Sequence, residues 1–210
     1  MSNDTTIIGI SGKARAGKDT VAGMLAKRLP NTRIISLAAA LKERAAAEWG
    51  WSPENKNESA RSVLSRLGYS EHPGEFSTSI RLANDETSFL QWYGTDYCRR
   101  LLGESCWIDL LEDKIASIGG AERLDFVIVP DVRFRNEWHW VRCNGFALMV
   151  KVHPDTFDRD GAHISENDWM GLPFDKTFEA NRGDLDYLEC QVDQFVKKTL
   201  LEQWLRKGGE

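Results

Sequence analysis

Gly12-Lys13-Ala14-Arg15-Ala16-Gly17-Lys18-Asp19-Thr20 places two glycines and a lysine at the spacing G-x-x-x-x-G-K. Each part suits the cradling of a polyphosphate. The glycines let the backbone curl until its N–H groups converge on anionic oxygens. A helix beginning at Gly17 turns its positive end toward the same anion. The Lys18 amine can bridge the β- and γ-phosphates of ATP and stabilise charge as a phosphoryl group moves. The expected ATP-binding residues are Gly12, Lys13, Ala14, Ala16, Gly17, Lys18, Asp19 and Thr20. After the lysine, the usual Ser or Thr that ligates Mg²⁺ is replaced by Asp19, with Thr20 one residue later. Asp19 could reach the metal directly or through water, or could simply favour the helix N-terminus by its charge. The Thr20 hydroxyl could bond an α-phosphate oxygen.

A second set of residues lies far along the chain. Asp131 closes the buried run Asp125-Phe126-Val127-Ile128-Val129-Pro130, at the edge where an α/β sheet presents ligand-binding groups. It could instead simply cap the helix that follows. Arg133 can make the planar two-pronged grip that a phosphate favours, while Arg133 or Arg135 could instead serve in surface ion pairs. Trp107 offers a flat face on which a base could stack and Thr95 a hydroxyl for its edge, yet Trp92 and Trp107 also fit apolar helix faces. His163 and Glu166 lack a nucleophile with a supporting base, so their loop reads as a lid, and Arg159 is its candidate for covering the transferring phosphate.

The elements that must position these groups alternate between strand and helix. Thr5–Ser11 reads as a β-branched buried strand and Gly17–Leu29 as a helix with Val21, Met24, Leu25 and Leu29 on one face. Arg33–Leu37 is a second strand and Ala38–Trp49 an alanine-rich helix. Residues 51–86 are polar, carry Pro53, Gly68, Pro73 and Gly74, and read as an insertion with one helical stretch at Ala60–Leu67. Helices follow at Ser88–Leu102 and Trp107–Ile118, then the strand ending at Asp131, a helix Phe134–Cys143 and a strand Phe146–Val152. The polar loop at residues 153–172, a short strand near Thr177–Ala180 and a helix from Leu185 to about Leu205 complete the chain. This order predicts an α/β fold with a parallel sheet covered by helices on both faces. It is read as a single domain over residues 1–210, with the insertion and the lid-like loop attached.

Composition narrows the task further. With 210 residues, 41% hydrophobic and 28% charged, the chain can bury a core without disulfides. Cys98, Cys106, Cys143 and Cys190 form no C-x-x-C pair, and the histidines do not join them at zinc-ligand spacing. A net charge of −5 without a basic run argues against gripping nucleic acid by bulk charge. No apolar run reaches the length of a membrane span, and the N-terminus lacks signal-peptide features. The expected compartment is the cytoplasm.

Taken together, the P-loop with its Gly-Lys-Asp-Thr, Gln91-Trp92-Tyr93-Gly94-Thr95-Asp96 with Arg99 and Trp107, Asp131-Val132-Arg133-Phe134-Arg135-Asn136-Glu137, and His163-Ile164-Ser165-Glu166 resemble the deoxynucleoside monophosphate kinases encoded by bacteriophages. The segments stand in the family's order and span most of the chain. The resemblance implies transfer of the γ-phosphoryl of ATP, with Mg²⁺, to a deoxynucleoside 5′-monophosphate, in the host cell's cytoplasm if the chain is phage-encoded. It implies an acceptor site of Arg15, Lys42, Gly94, Thr95, Trp107, Asp131, Arg133 and Glu137, and a catalytic set of Lys18, Arg15 and Arg133. Expected partners are small nucleotides, with no nucleic acid and no membrane; a homodimer is left open. One departure is Lys13-Ala14-Arg15, where relatives commonly have the basic pair adjacent, leaving open whether Lys13 or only Arg15 faces the acceptor. Two competing expectations remain: another small-molecule P-loop kinase resembling phosphomevalonate kinase, and a slowly hydrolysing nucleotide switch. An N-K-x-D guanine-reading motif, which would favour the switch, is absent.

Overall fold

Strongly β-branched runs form the centre of the molecule. In the computed structural model, which describes residues 5–55, 58–68, 88–153, 168–200 and 202, five strands make one sheet. They are β1 (Thr6–Ser11), β2 (Thr32–Ile34), β3 (Phe126–Val129), β4 (Gly145–His153) and β5 (Lys176–Asn181), in the order β2-β3-β1-β4-β5. All neighbours are parallel: Ile8 stands opposite Ile128 on one side and Phe146 on the other. Every residue of β1 and β3 is buried, as a parallel sheet covered on both faces requires. This is the α/β architecture with a parallel sheet that the sequence order predicts.

Alternation along β1 sorts the two faces. Ile8 and Ile10 join a core with Val21 and Leu25 of helix α1 (Lys18–Ala26) and with Val192 and Phe195 near the C-terminus. Burying each such side chain contributes about 1.5–3 kcal/mol. Gly9, between them, faces the other way. A Cβ there would lie 2.5 Å from Val141 Cγ2, so only glycine lets the helix carrying Val141 approach this closely.

The chain divides into two compact units, Met1–Leu37 with Leu111–Glu210, and Ala38–Leu110. The first holds the sheet. Helix α2 (Leu37–Trp49) carries the chain into the second, which also contains α3 (Ala60–Arg66), α4 (Phe89–Gln91), a π-helical turn (Trp92–Tyr97) and α5 (Cys98–Leu102). Helix α6 (Cys106–Gly119) carries it back, and α7 (Arg135–Asn144) and α8 (Leu185–Phe195) complete the first unit. The expected insertion at residues 51–86 falls within the second unit, and most of it, like most of the loop at 153–172, lies outside the described residues.

Aromatic side chains build the core of the second unit. Trp49 meets Phe89, Trp92, Tyr93 and Tyr97 at centroid distances of 5.5–6.3 Å, edge-on in each case. Phe89 and Tyr93 stack at 5.8 Å, and Trp107 lies 6.3 Å from Tyr93. The Tyr93 hydroxyl donates to Glu48 Oε2 at 2.6 Å. Burial first, and this bond second, push the Tyr93 phenol well above its ordinary range. Burial also acts to raise the Glu48 carboxyl, but hydrogen bonds from Tyr93 and Arg44 outweigh it and hold that group below its ordinary value.

Several boundaries differ from expectation; the helix expected over Gly17–Leu29 ends at Ala26. The strand expected at Arg33–Leu37 stops at Ile34, because Leu37 already opens α2. The helix expected over Ser88–Leu102 is interrupted by the π turn at Trp92–Tyr97. The C-terminal helix is α-helical only to Phe195 and continues as a π turn over Val196–Leu200.

Candidate active site

β1 ends at Ser11, and the loop from Gly12 to Gly17 turns the chain into α1. Three residues of this loop have positive φ: Gly12 at 149°, Arg15 at 61° and Gly17 at 88°. The two glycines are required for different reasons. At Gly12 a Cβ would sit 2.4 Å from the Val150 carbonyl oxygen, so the loop leaves the sheet against β4 with no room for a side chain. At Gly17 the same space is open, with nothing within 4 Å, so backbone conformation alone selects glycine. Arg15 holds a left-handed conformation that glycine would adopt without strain. Strain of this kind costs of order 1–3 kcal/mol and gathers where function requires it.

The Lys18 ammonium folds back over the loop, donating to the carbonyls of Gly12 and Lys13 at 2.8 Å each. Asp19 and Thr20 are exposed on the first turn of α1, where an α-helix has no intrahelical acceptor for its leading N–H groups. Ala16 is buried and anchors the loop beneath, while Ala14 and Arg15 are exposed at its rim.

The segment after β3 is pinned at successive positions. Asp131 Oδ2 accepts the Ser36 hydroxyl at 2.8 Å and its Oδ1 accepts the Leu37 N–H at 3.0 Å. Asp131 therefore accepts from the first residue of α2, 94 positions earlier in the chain. Val132 N–H donates to Ile10 O at 3.1 Å, and the buried Ser11 hydroxyl donates to Val132 O at 3.0 Å. Glu137, 4% exposed, accepts the N–H groups of Arg133 and Phe134 on Oε2 at 2.8 and 3.0 Å. These bonds hold the Arg133 backbone in place. Arg133 itself is half-buried. The structure brings the P-loop and Asp131–Glu137 together within the first unit, at the C-terminal edge of β1 and β3.

The other expected residues belong to the second unit. Lys42 is exposed on α2 and Thr95 is half-buried in the π turn. Gly94 is buried, and a Cβ there would lie 2.2 Å from Leu41 Cδ1, the end of a side chain that would have to move. Trp107 is 3% exposed and its indole N–H donates to Gly94 O at 2.9 Å. Of the two roles open for Trp107, this burial fits the core one. Arg159, His163 and Glu166 lie outside the described residues.

The loop fits a polyphosphate: it is glycine-curled, leads into a helix N-terminus and carries an ammonium folded over its carbonyls. Magnesium takes one or two carboxylates together with phosphate oxygens and water, so it requires no cluster built in advance. Among the described residues no group of three or more His, Cys, Asp or Glu could hold a metal. Asp19, exposed beside the loop, fits the single-carboxylate requirement. Asp131 is already engaged on both oxygens by Ser36 and Leu37.

No protein-family model and no curated protein matches the chain. Among solved structures it is similar to TT1252 from Thermus thermophilus, at 18% identity and a TM-score of 0.50 over 93% of this chain and 98% of that one. That likeness is one of fold. Weaker similarities, with TM-scores of 0.44 and 0.42, are to a tunicamycin resistance protein from Deinococcus radiodurans (12% identity, 92% and 95% covered) and a shikimate kinase from Bacteroides thetaiotaomicron (16% identity, 94% and 98% covered). Among the described residues no helix is long and apolar enough to cross a membrane.

Sequence reasoning did not single out Ser11 or Ser36. Each hydroxyl bonds a partner 121 or 95 positions away, and a lone serine at a strand end carries no signal that would announce it.

Proposed function

We propose that this chain transfers the γ-phosphoryl group of ATP to the 5′-phosphate of a deoxynucleoside monophosphate. The observation that carries the reading is the P-loop conformation with the Asp131–Arg133 segment bonded beside its first residue. The four motif segments shared in order with phage deoxynucleoside monophosphate kinases supply the acceptor class.

In this reading the Gly12–Gly17 loop and the first turn of α1 hold the donor phosphates. Lys18 leaves its resting contacts on the Gly12 and Lys13 carbonyls to follow charge on the γ-phosphoryl group. Arg133, with its backbone fixed by Glu137, grips the acceptor phosphate, and Arg15 at the loop rim faces the transferring group. The acceptor oxygen is already ionised at neutral pH, so no general base is needed and catalysis rests on positioning and charge. Asp19 would hold magnesium, which would supply positive charge to offset that of the phosphates. Bond formation from the acceptor phosphate oxygen to the γ-phosphorus accompanies cleavage of the bond to the β-phosphate oxygen, leaving ADP.

A second reading, a kinase whose phosphorylated acceptor has no base, draws on the burial of Trp107, which fits a core role. Coupled ADP release with Mg-ATP and a panel of deoxynucleoside monophosphates, ribonucleoside monophosphates and phosphomevalonate separates the two. Turnover that depends on a deoxynucleotide supports the proposal; turnover with phosphomevalonate alone replaces it with the second reading. No acceptor-dependent turnover overturns both.

A further inference from the structure

Donor and acceptor phosphates can react only if the loop holding one and the arginine holding the other keep a fixed register. On the proposed function, those groups are the P-loop and Arg133. The residue joining them most directly is Ser11. It is 1% exposed, ends β1, and immediately precedes Gly12. Its hydroxyl donates to Val132 O at 3.0 Å, and the Val132 N–H returns to Ile10 O at 3.1 Å. Residues 10 and 11 therefore hold both polar groups of the Val132 backbone, one residue before Arg133.

We infer that Ser11 is a positioning residue which fixes the Arg133 backbone relative to the P-loop. Backbone pairing of parallel strands would account for the Ile10 bond alone. β3 ends at Val129, however, and residues 130–132 have left the strand ladder. Past that point the carbonyl of Val132 faces a buried position where an unpaired acceptor is costly, and the Ser11 side chain supplies its donor. The Glu137 carboxylate then takes the next two N–H groups, those of Arg133 and Phe134. Removing the Ser11 hydroxyl frees the first of these three consecutive positions and leaves the donor cradle, built from residues 12–18, unchanged.

The test uses Ser11→Ala, with Ser11→Cys as a variant of similar volume and weak donor strength. Hydrogen exchange is read on peptides covering 131–134 and on the rest of the first unit, and ADP release is read in a double-mutant cycle with Arg133→Ala. Expected are faster exchange, roughly 10-fold, confined to 131–134, an unchanged KM for ATP, and a kcat lowered about 10-fold in the wild-type background but not in Arg133→Ala. Wild-type exchange at 131–134 overturns the inference, as does a rise spread evenly over the unit. Losses that add in full in the double variant overturn it too. If the unmutated protein shows no acceptor-dependent turnover, the functional reading fails, and the exchange comparison alone decides whether Ser11 pins the segment.

Discussion

Two regions carry the motifs that made the sequence distinctive, and they use their residues in opposite ways. At the sheet edge of the first unit, Gly12–Lys18 works through backbone conformation: positive φ at Gly12, Arg15 and Gly17, exposed side chains at the rim, and an ammonium resting on carbonyls. In the second unit, Gln91–Tyr97 and Trp107 work through burial. Trp92, Tyr93, Gly94 and Trp107 are enclosed; the Tyr93 hydroxyl donates to Glu48 and the Trp107 indole N–H to Gly94 O. Gly12 and Gly17 in the first region serve backbone approach and conformation, whereas at Gly94 in the second a Cβ would meet the Leu41 side chain. Motif resemblance alone does not distinguish a residue that touches substrate from one that holds the wall behind it. Burial and hydrogen-bond partners do.

Substitutions can break this contrast. Lys18→Ala is expected to lower kcat by about 10²-fold or more while leaving the melting temperature near wild type; unchanged turnover would remove the P-loop from the chemistry. Trp107→Ala is expected to do the reverse, costing about 3–5 kcal/mol of stability by emptying a core position. Should the conservative Trp107→Phe weaken nucleotide binding with no change in denaturation midpoint, Trp107 would be a stacking face and the contrast would fail.

The glycines give a finer comparison. Gly12→Ala meets the Val150 carbonyl and is expected to destabilise markedly, whereas Gly17→Ala meets only an unfavourable φ and is expected to cost about 1 kcal/mol. Equal losses in chemical denaturation would contradict the packing argument at Gly12. Tyr93→Phe removes the hydroxyl bonded to the Glu48 carboxylate and should cost about 1.5–3 kcal/mol without altering KM for ATP.

The cysteines report the same division by chemistry. Burial pushes the Cys98 thiol up to about 11, so it stays protonated at neutral pH and its thiolate grows only as pH rises toward that value. In the native protein at pH 8, alkylation is expected at the exposed Cys143 and Cys190 and not at Cys98 or Cys106. Rapid labelling of Cys98, read by mass spectrometry, would show that the second unit's core opens readily.

What the sequence disclosed follows from where the information lies. The P-loop was legible because its chemistry is written in nine adjacent residues, and β1 and β3 were legible because both faces of each strand are apolar. The π turn was not, since widening one helical turn leaves the apolar spacing of Ser88–Leu102 nearly unchanged. Nor was the partner of Asp131: a carboxylate at a strand end can cap any helix that begins nearby in space, and α2 starts 94 positions earlier. Trp107 was ambiguous because an indole suits a core and a base equally well, and its burial, which favours the core, is not written in the sequence.

The most direct test of the phosphoryl-transfer reading is to follow the label from ATP carrying a radioactive γ-phosphate, incubated with the protein, magnesium and a deoxynucleoside monophosphate. The account predicts label in the deoxynucleoside diphosphate, appearing at the rate of ADP release and lost in Lys18→Ala. Label recovered only as inorganic phosphate, at a rate indifferent to the acceptor, would contradict it.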